Sequence, residues 1–160
     1  MEKSLVINPE KCSGCRTCEL ICSFVHTQEN NPMRSRISVF NFEKSGFSAP
    51  VVCQQCSDAA CMKICPVNAI SKSAETGAMI VDEKKCIKCK MCTIACPFGA
   101  TIYDPVQDIV AKCDLCQGDP QCVKYCPSKA ITYQKADEAH ILRRKNLAKK
   151  FRDLYEEVNQ

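Results

Sequence analysis

The chain has 160 residues, with 22 Lys and Arg against 18 Asp and Glu, a formal net charge of +4, and no tryptophan. Sixteen cysteines inflate its hydrophobic fraction of 46%, so one domain or two small ones would rest on a modest apolar core, a deficit that small proteins offset with disulfides or metals. No run approaches the ~20 apolar residues of a membrane helix, and the mixed surface charge gives no ground for nucleic-acid binding.

Residues 1–10 contain no twin arginine, no long apolar stretch and no small-residue cleavage site, and Cys12 follows almost at once. The segment reads as retained and the compartment as cytoplasmic, where thiols stay reduced. Cysteines then fall into four groups with none left over. Group one is Cys12, Cys15, Cys18 and Cys22, spaced C-x2-C-x2-C-x3-C. An insertion over 26–50 follows, in which Ile37, Val39, Phe40 and Phe42 alternate loosely and predict a strand or hairpin arm over Arg36–Glu43. Group two, Cys53, Cys56, Cys61 and Cys65, is spaced C-x2-C-x4-C-x3-C. Gly77 marks a hairpin turn ahead of a short strand over Ala78–Val81. Group three, Cys86, Cys89, Cys92 and Cys96, returns to the first spacing, and strands over Thr101–Tyr103 and Asp108–Val110 come after it. Group four, Cys113, Cys116, Cys122 and Cys126, is spaced C-x2-C-x5-C-x3-C and leads into a strand over Ile131–Tyr133.

Within each group the last two cysteines are one helical turn apart on one face. The prolines after Cys65, Cys96 and Cys126 should stop that turn. The tail over 135–160 has no Cys, Pro or Gly; Leu147, Phe151, Leu154 and Val158, extended by Ile141 and Tyr155, form the apolar stripe of a helix. That stripe either packs on its own domain or docks a partner.

The groups repeat in alternation. Ile7–Cys12 parallels Val81–Cys86, and Cys65-Pro-Val-Asn-Ala-Ile70 parallels Cys126-Pro-Ser-Lys-Ala-Ile131. A tandem duplication of a two-group unit accounts for both. Thiolate suits iron–sulfur clusters and zinc alike, but zinc sites usually draw on two separated C-x2-C pairs. Three close cysteines with a fourth after x3, usually followed by Pro, form the bacterial ferredoxin run, whose fourth cysteine serves the other cluster of a pair. Sixteen such cysteines imply four [4Fe–4S] clusters.

The array of Cys groups resembles the four-cluster electron-transfer subunits of molybdenum and tungsten oxidoreductases, of the dimethyl-sulfoxide-reductase iron–sulfur type, over residues 5 to 134. Groups two and three with their spacer resemble a two-cluster bacterial ferredoxin. The resemblance implies an α+β fold: a duplicated ferredoxin-like unit in two pseudo-two-fold halves, plus a C-terminal helix. It pairs group one with four and group two with three. Units over 1–25 with 103–134 and over 51–102 would then flank the 26–50 insertion. The implied ligand sets are Cys12, Cys15, Cys18 and Cys126 for cluster 1, and Cys22, Cys113, Cys116 and Cys122 for cluster 2. Cluster 3 would take Cys53, Cys56, Cys61 and Cys96, and cluster 4 Cys65, Cys86, Cys89 and Cys92. By spacing alone, pairing one with two and three with four stays open.

Lys88 and Lys90 inside group three, with Arg16, Lys63, Lys112 and Lys124 near others, are either cluster-tuning cations or solvated surface charges. Ile21, Ile64, Ile87, Ile94 and Tyr125 are expected to pack near the clusters. His26 and His140 sit in no ligand spacing, and no phosphate loop or nucleophile motif is present. Each oxidised site with its four thiolates carries 2−, so four of them turn the +4 chain into a holoprotein near −4. The reading is a non-catalytic electron-transfer subunit. It would link a catalytic molybdenum or tungsten subunit, an aldehyde oxidoreductase foremost, to an external redox partner. A hydrogenase or CO dehydrogenase partner, a free polyferredoxin, self-association into an array and a zinc-stabilised interaction module are the alternatives.

Overall fold

A computed structural model describes residues 3–135 together with Ile141, Ala148 and Glu156. The predicted tail helix, and His140, otherwise lie outside the described residues. Among these, eight strands form four two-stranded antiparallel sheets and four helices carry cysteines.

Strand β1 (Lys3–Ile7) is the N-terminal partner of β8 (Ile131–Lys135), with Leu5 opposite Tyr133, so the two ends of the described chain are zipped together. The insertion supplies β2 (Ile37–Phe42) and β3 (Phe47–Val52), joined through a tight turn at Glu43–Ser45 and Gly46. Alternation puts Ile37, Val39 and Val52 in the core and leaves Phe40 and Phe42 exposed. Two shorter hairpins follow: β4 (Ile70–Lys72) with β5 (Met79–Val81), and β6 (Thr101–Asp104) with β7 (Ile109–Lys112). Gly77, at φ +71, stands in the first of these turns.

Helix α1 (Thr17–Thr27) is much longer than α2 (Ala60–Lys63), α3 (Met91–Ala95) and α4 (Gln121–Lys124). The cause lies in one residue. Pro66, Pro97 and Pro127 follow the last cysteine of groups two, three and four, whereas Ser23 follows Cys22 and lets the helix continue. At each Cys-Pro step the chain folds into the same turn. The carbonyls of Cys65, Cys96 and Cys126 accept from the N–H groups of Asn68, Gly99 and Lys129, all three of which are left-handed. The segments before groups one and three also share a turn. Asn8 and Asp82 accept from Glu10 and Lys84 through their side chains, and donate their own N–H to Ala130 and Ala69 at 2.8 Å.

Arg34 ties the insertion to β6. Its side chain is buried and donates to buried Asp104 on β6 at 2.7 Å and to Glu29 at 2.7 Å. Helices α1 and α4 pack together, as do α2 and α3. No helix among the described residues is long and apolar enough to cross a membrane.

Candidate metal centres

All four cysteine loops share a backbone device. The residue before the second cysteine, Gly14, Gln55, Lys88 or Leu115, is in the left-handed region. In groups one and three the residue after that cysteine, Arg16 or Lys90, is left-handed too and opens the following helix. Alternating handedness curls the loop so that successive side chains and N–H groups face one concave side.

None of the sixteen cysteines is in a disulfide. Three cavities of similar size are each lined by four of them, drawn from two groups. Cys12, Cys15 and Cys18 share one of about 290 Å³ with Cys126. Cys22 shares one of about 320 Å³ with Cys113, Cys116 and Cys122. Cys65 shares one of about 330 Å³ with Cys86, Cys89 and Cys92. In the remaining set, Cys53, Cys61 and Cys96 converge on the ammonium of Lys112, which sits 3.4 Å from the Cys61 sulfur. Cys56 lies half-buried on the same loop as Cys53.

Burial and crowding oppose ionisation of these thiols. Burial pushes Cys18 up to about 12, with Glu19, Cys12 and Cys126 adding to it. Burial also pushes Cys122 up to about 12, with Cys22, Cys116 and Cys18 adding. Cys113 is driven well above its usual range by burial and by Cys122, Cys22 and Cys53. Cys96 and Cys126 go the other way, because backbone N–H groups such as those of Ala100 and Ile131 outweigh burial.

Cys18 adds to the charge felt by Cys122, Cys53 to that felt by Cys113, and Lys112 acts on both Cys53 and Cys92, so thiols of different groups lie within electrostatic reach of one another. Gln55 ties the middle, donating to the Cys113 carbonyl at 2.8 Å and accepting from Met79 N–H at 2.7 Å. Only at the ends is a thiol exposed, Cys15 in the first set and Cys89 in the last.

Residues 45–134 match the model of the 4Fe–4S dicluster domain, and residues 9–25 match that of a 4Fe–4S binding domain. This chain belongs to the 4Fe–4S dicluster family. It is a ferredoxin-like iron–sulfur electron-transport protein of the kind found as subunits of oxidoreductase complexes. It is 44% identical over 122 residues to the polyferredoxin-like subunit of an aliphatic sulfonate oxidoreductase from Pyrococcus furiosus, covering 76% of this chain and 70% of that one. It is 34% identical to subunit 2 of formate hydrogenlyase from Escherichia coli, covering 91% and 88%. A chain of the active-site complex of benzoyl coenzyme A reductase superposes with a TM-score of 0.50 at 26% identity, covering 99% of this chain and 97% of that one. Other relatives are far longer, and the chain spans 21% of one and 30% of another.

The residues of this dicluster protein fit the cofactor of its family. Each of the three cavities gathers four thiols from two groups, an all-sulfur set of soft donors of the kind that holds iron–sulfur clusters. Thiols that repel one another as thiolates gain from a cationic iron core, which displaces their protons on binding.

The cations divide sharply. Lys88 pairs with Asp108, Lys90 lies 3.6 Å from the Tyr103 ring centroid, Lys63 pairs with Asp58, and Lys124 pairs with Asp119. These are exposed side chains occupied by surface partners. Arg16 is exposed as well and reaches Glu19 at 4.0 Å. Lys112 alone of the six is buried, at 4% exposure. Burial disfavours its charge, but Cys53 and Cys61 outweigh that and raise its pKa. Of the apolar residues expected to pack near the clusters, Ile21 is half-buried against the core and Ile87 lines the Cys65 cavity while staying exposed; Ile64, Ile94 and Tyr125 are exposed. His26, set aside by spacing, lies 4.0 Å from the Cys116 sulfur and 3.6 Å from Asp114. Its role is spatial, carried by the extra turn of α1, and no sequence interval marks it.

Proposed function

We propose that this chain is an electron relay. It carries four [4Fe–4S] clusters and passes single electrons along them between a catalytic oxidoreductase subunit and an external redox partner. The observation that supports the reading is the three cavities each lined by four cysteines from two groups, with Cys15 and Cys89 the exposed thiols among the sixteen. The ligand sets are Cys12, Cys15, Cys18 and Cys126; Cys22, Cys113, Cys116 and Cys122; Cys53, Cys56, Cys61 and Cys96; and Cys65, Cys86, Cys89 and Cys92. When bound, the clusters supply one-electron redox chemistry. The chain's own residues hold them in line, bury the middle two and expose the outer two.

Two ferredoxin-like units arise from a duplication in this reading, one over 1–25 with 103–134 and one over 51–102. The recurrent Asn8 and Asp82 turns, with their N–H bonds to Ala130 and Ala69, support it. The catalytic partner in this reading is an oxidoreductase of the molybdenum or tungsten class, an aldehyde oxidoreductase foremost. Relatives named as subunits of a sulfonate oxidoreductase and of formate hydrogenlyase support a multisubunit setting.

Anaerobic purification from the native host tests the whole reading. Iron and sulfide near ~16 each per chain, with a co-eluting catalytic chain carrying molybdenum or tungsten, are expected. A brown protein eluting alone would leave a free carrier. Zinc in place of iron would sink the relay.

A further inference from the structure

We propose that Lys112 is a positioning residue that raises the reduction potential of the cluster held by Cys53, Cys56, Cys61 and Cys96 above what its ligands alone would give. This rests on the ligand assignment just made.

Lys112 is the last residue of β7 and immediately precedes Cys113. The chain therefore delivers a group-four strand residue to the neighbouring cysteine set. Thr101 is its direct cross-strand partner, which puts both side chains on one face of the hairpin. The ammonium sits 3.0 Å from the Thr101 hydroxyl and 3.4 Å from the Cys61 sulfur, with Cys53 and Cys96 close enough to act on its charge. Among the described residues no carboxylate lies within ion-pair distance of it. Lys63, Lys88, Lys90 and Lys124, which lie inside cysteine groups, are exposed, and each is taken by a carboxylate or a ring.

A buried ammonium is costly unless an anion compensates it. Here the compensating charge is on sulfur. One electron taken up by the cluster makes the site more negative by one unit, so the ammonium stabilises the reduced form more than the oxidised form. Its N–H groups facing sulfur act in the same direction, since hydrogen bonds to ligand sulfur tune cluster potentials. The set around Cys18 has the opposite sign beside it. Glu19 is buried there, with Oε1 accepting from Val39 N–H and Oε2 taking no hydrogen bond, its one charge partner being exposed Arg16 at 4.0 Å.

The test is an EPR-monitored redox titration of the anaerobically purified full chain, comparing wild type with Lys112→Met, Lys112→Arg and Lys44→Met. Cys56→Ser identifies the signal of the set in question. In Lys112→Met that one signal should lose at least tenfold in its equilibrium constant for reduction, equivalent to 59 mV for one electron. The other three should move less than threefold. Lys112→Arg should retain most of the potential, and Lys44→Met, at an exposed lysine of the insertion away from every cysteine group, should leave all four signals in place. An unmoved signal, or an equal shift of all four, overturns the role of Lys112. Pulsed EPR on wild-type protein labelled with ε-¹⁵N-lysine gives a second reading that needs no variant. A single reduced cluster coupled to that nitrogen is expected, and no coupling overturns the proposal. Fewer than four cubes in the wild type would instead refute the relay on which it rests.

Discussion

Gly14 lies between Cys12 and Cys15 at φ +69, and a Cβ there would meet the Ser48 hydroxyl at 2.7 Å. Ser48 can rotate away, but an L-residue in left-handed backbone still costs roughly 1–2 kcal/mol. Gly14→Ala should therefore lower the denaturant midpoint and hasten bleaching of the visible absorbance in air, with the Cys12 set affected first. Arg34 answers to a different term. Burial alone would push the Asp104 carboxyl up, but Arg34 and the N–H groups of Val106 and Gln107 outweigh it and hold the carboxyl below its ordinary range. A depressed carboxyl stabilises the fold fully above its unfolded pKa of about 4, and that contribution fades as the pH falls through the folded value. Arg34→Met leaves Asp104 buried without its cation, at a cost of about 3–5 kcal/mol. Unfolding at pH 7 should show the full loss, and the gap from wild type should narrow in acid. Neither the Arg34 pair nor buried Lys112 was legible as such in the sequence, because each depends on partners that folding brings in from 70 and 51 residues away.

Helix lengths were legible where proline punctuates the chain. Pro66, Pro97 and Pro127 end their helices at or just before the cysteine they follow, whereas α1 continues through Ser23 to Thr27. Ser23 is fully buried, its hydroxyl donating to the Leu20 carbonyl and accepting from Asn31 N–H, so it also anchors the chain beyond the helix. Ser23→Pro should break α1 at a cost of ~3 kcal/mol or more. Loss of far-ultraviolet helical signal, together with loss of the cluster at Cys22, would be the measure. The strands Ala78–Val81, Thr101–Tyr103, Asp108–Val110 and Ile131–Tyr133 were readable from β-branched runs, and the elements observed there lie within two residues of them. Strand β4 has one apolar residue in three, and in β1 Leu5, Val6 and Ile7 run on without the alternation that marks a half-buried strand, so neither announces itself. They form because β8 and β5 are held opposite them. The insertion was readable as a hairpin arm. Its contribution to the core was not, since Ile37, Val39 and Val52 acquire that role only against α1 and the cysteine sets.

At the scale of the molecule, the core explains why the thiols cannot be left empty. Among the described residues 24 apolar side chains are buried, of which eight are cysteines and six are alanines. The remaining ten, such as Leu5, Ile37, Met79 and Ile131, sit mostly on four separate two-stranded sheets, each too small to be stable alone. A core of that size falls short of what a chain of this length needs, so the free energy of metal binding is in large part folding free energy. Iron removal has two coupled consequences. The freed thiols take up protons, because burial and mutual repulsion hold Cys18, Cys113 and Cys122 far above neutral pH, and the protein loses about eight negative charges. A holoprotein focusing below pH 7 should become a chain focusing near its sequence pI of 8.3. Chelation under anaerobic conditions, followed by isoelectric focusing and circular dichroism on the same samples, should show the basic shift and the loss of secondary structure together. A chain that turned basic while keeping its full dichroism would mean that the ten large apolar residues suffice, and that the clusters serve electron transfer without holding up the fold.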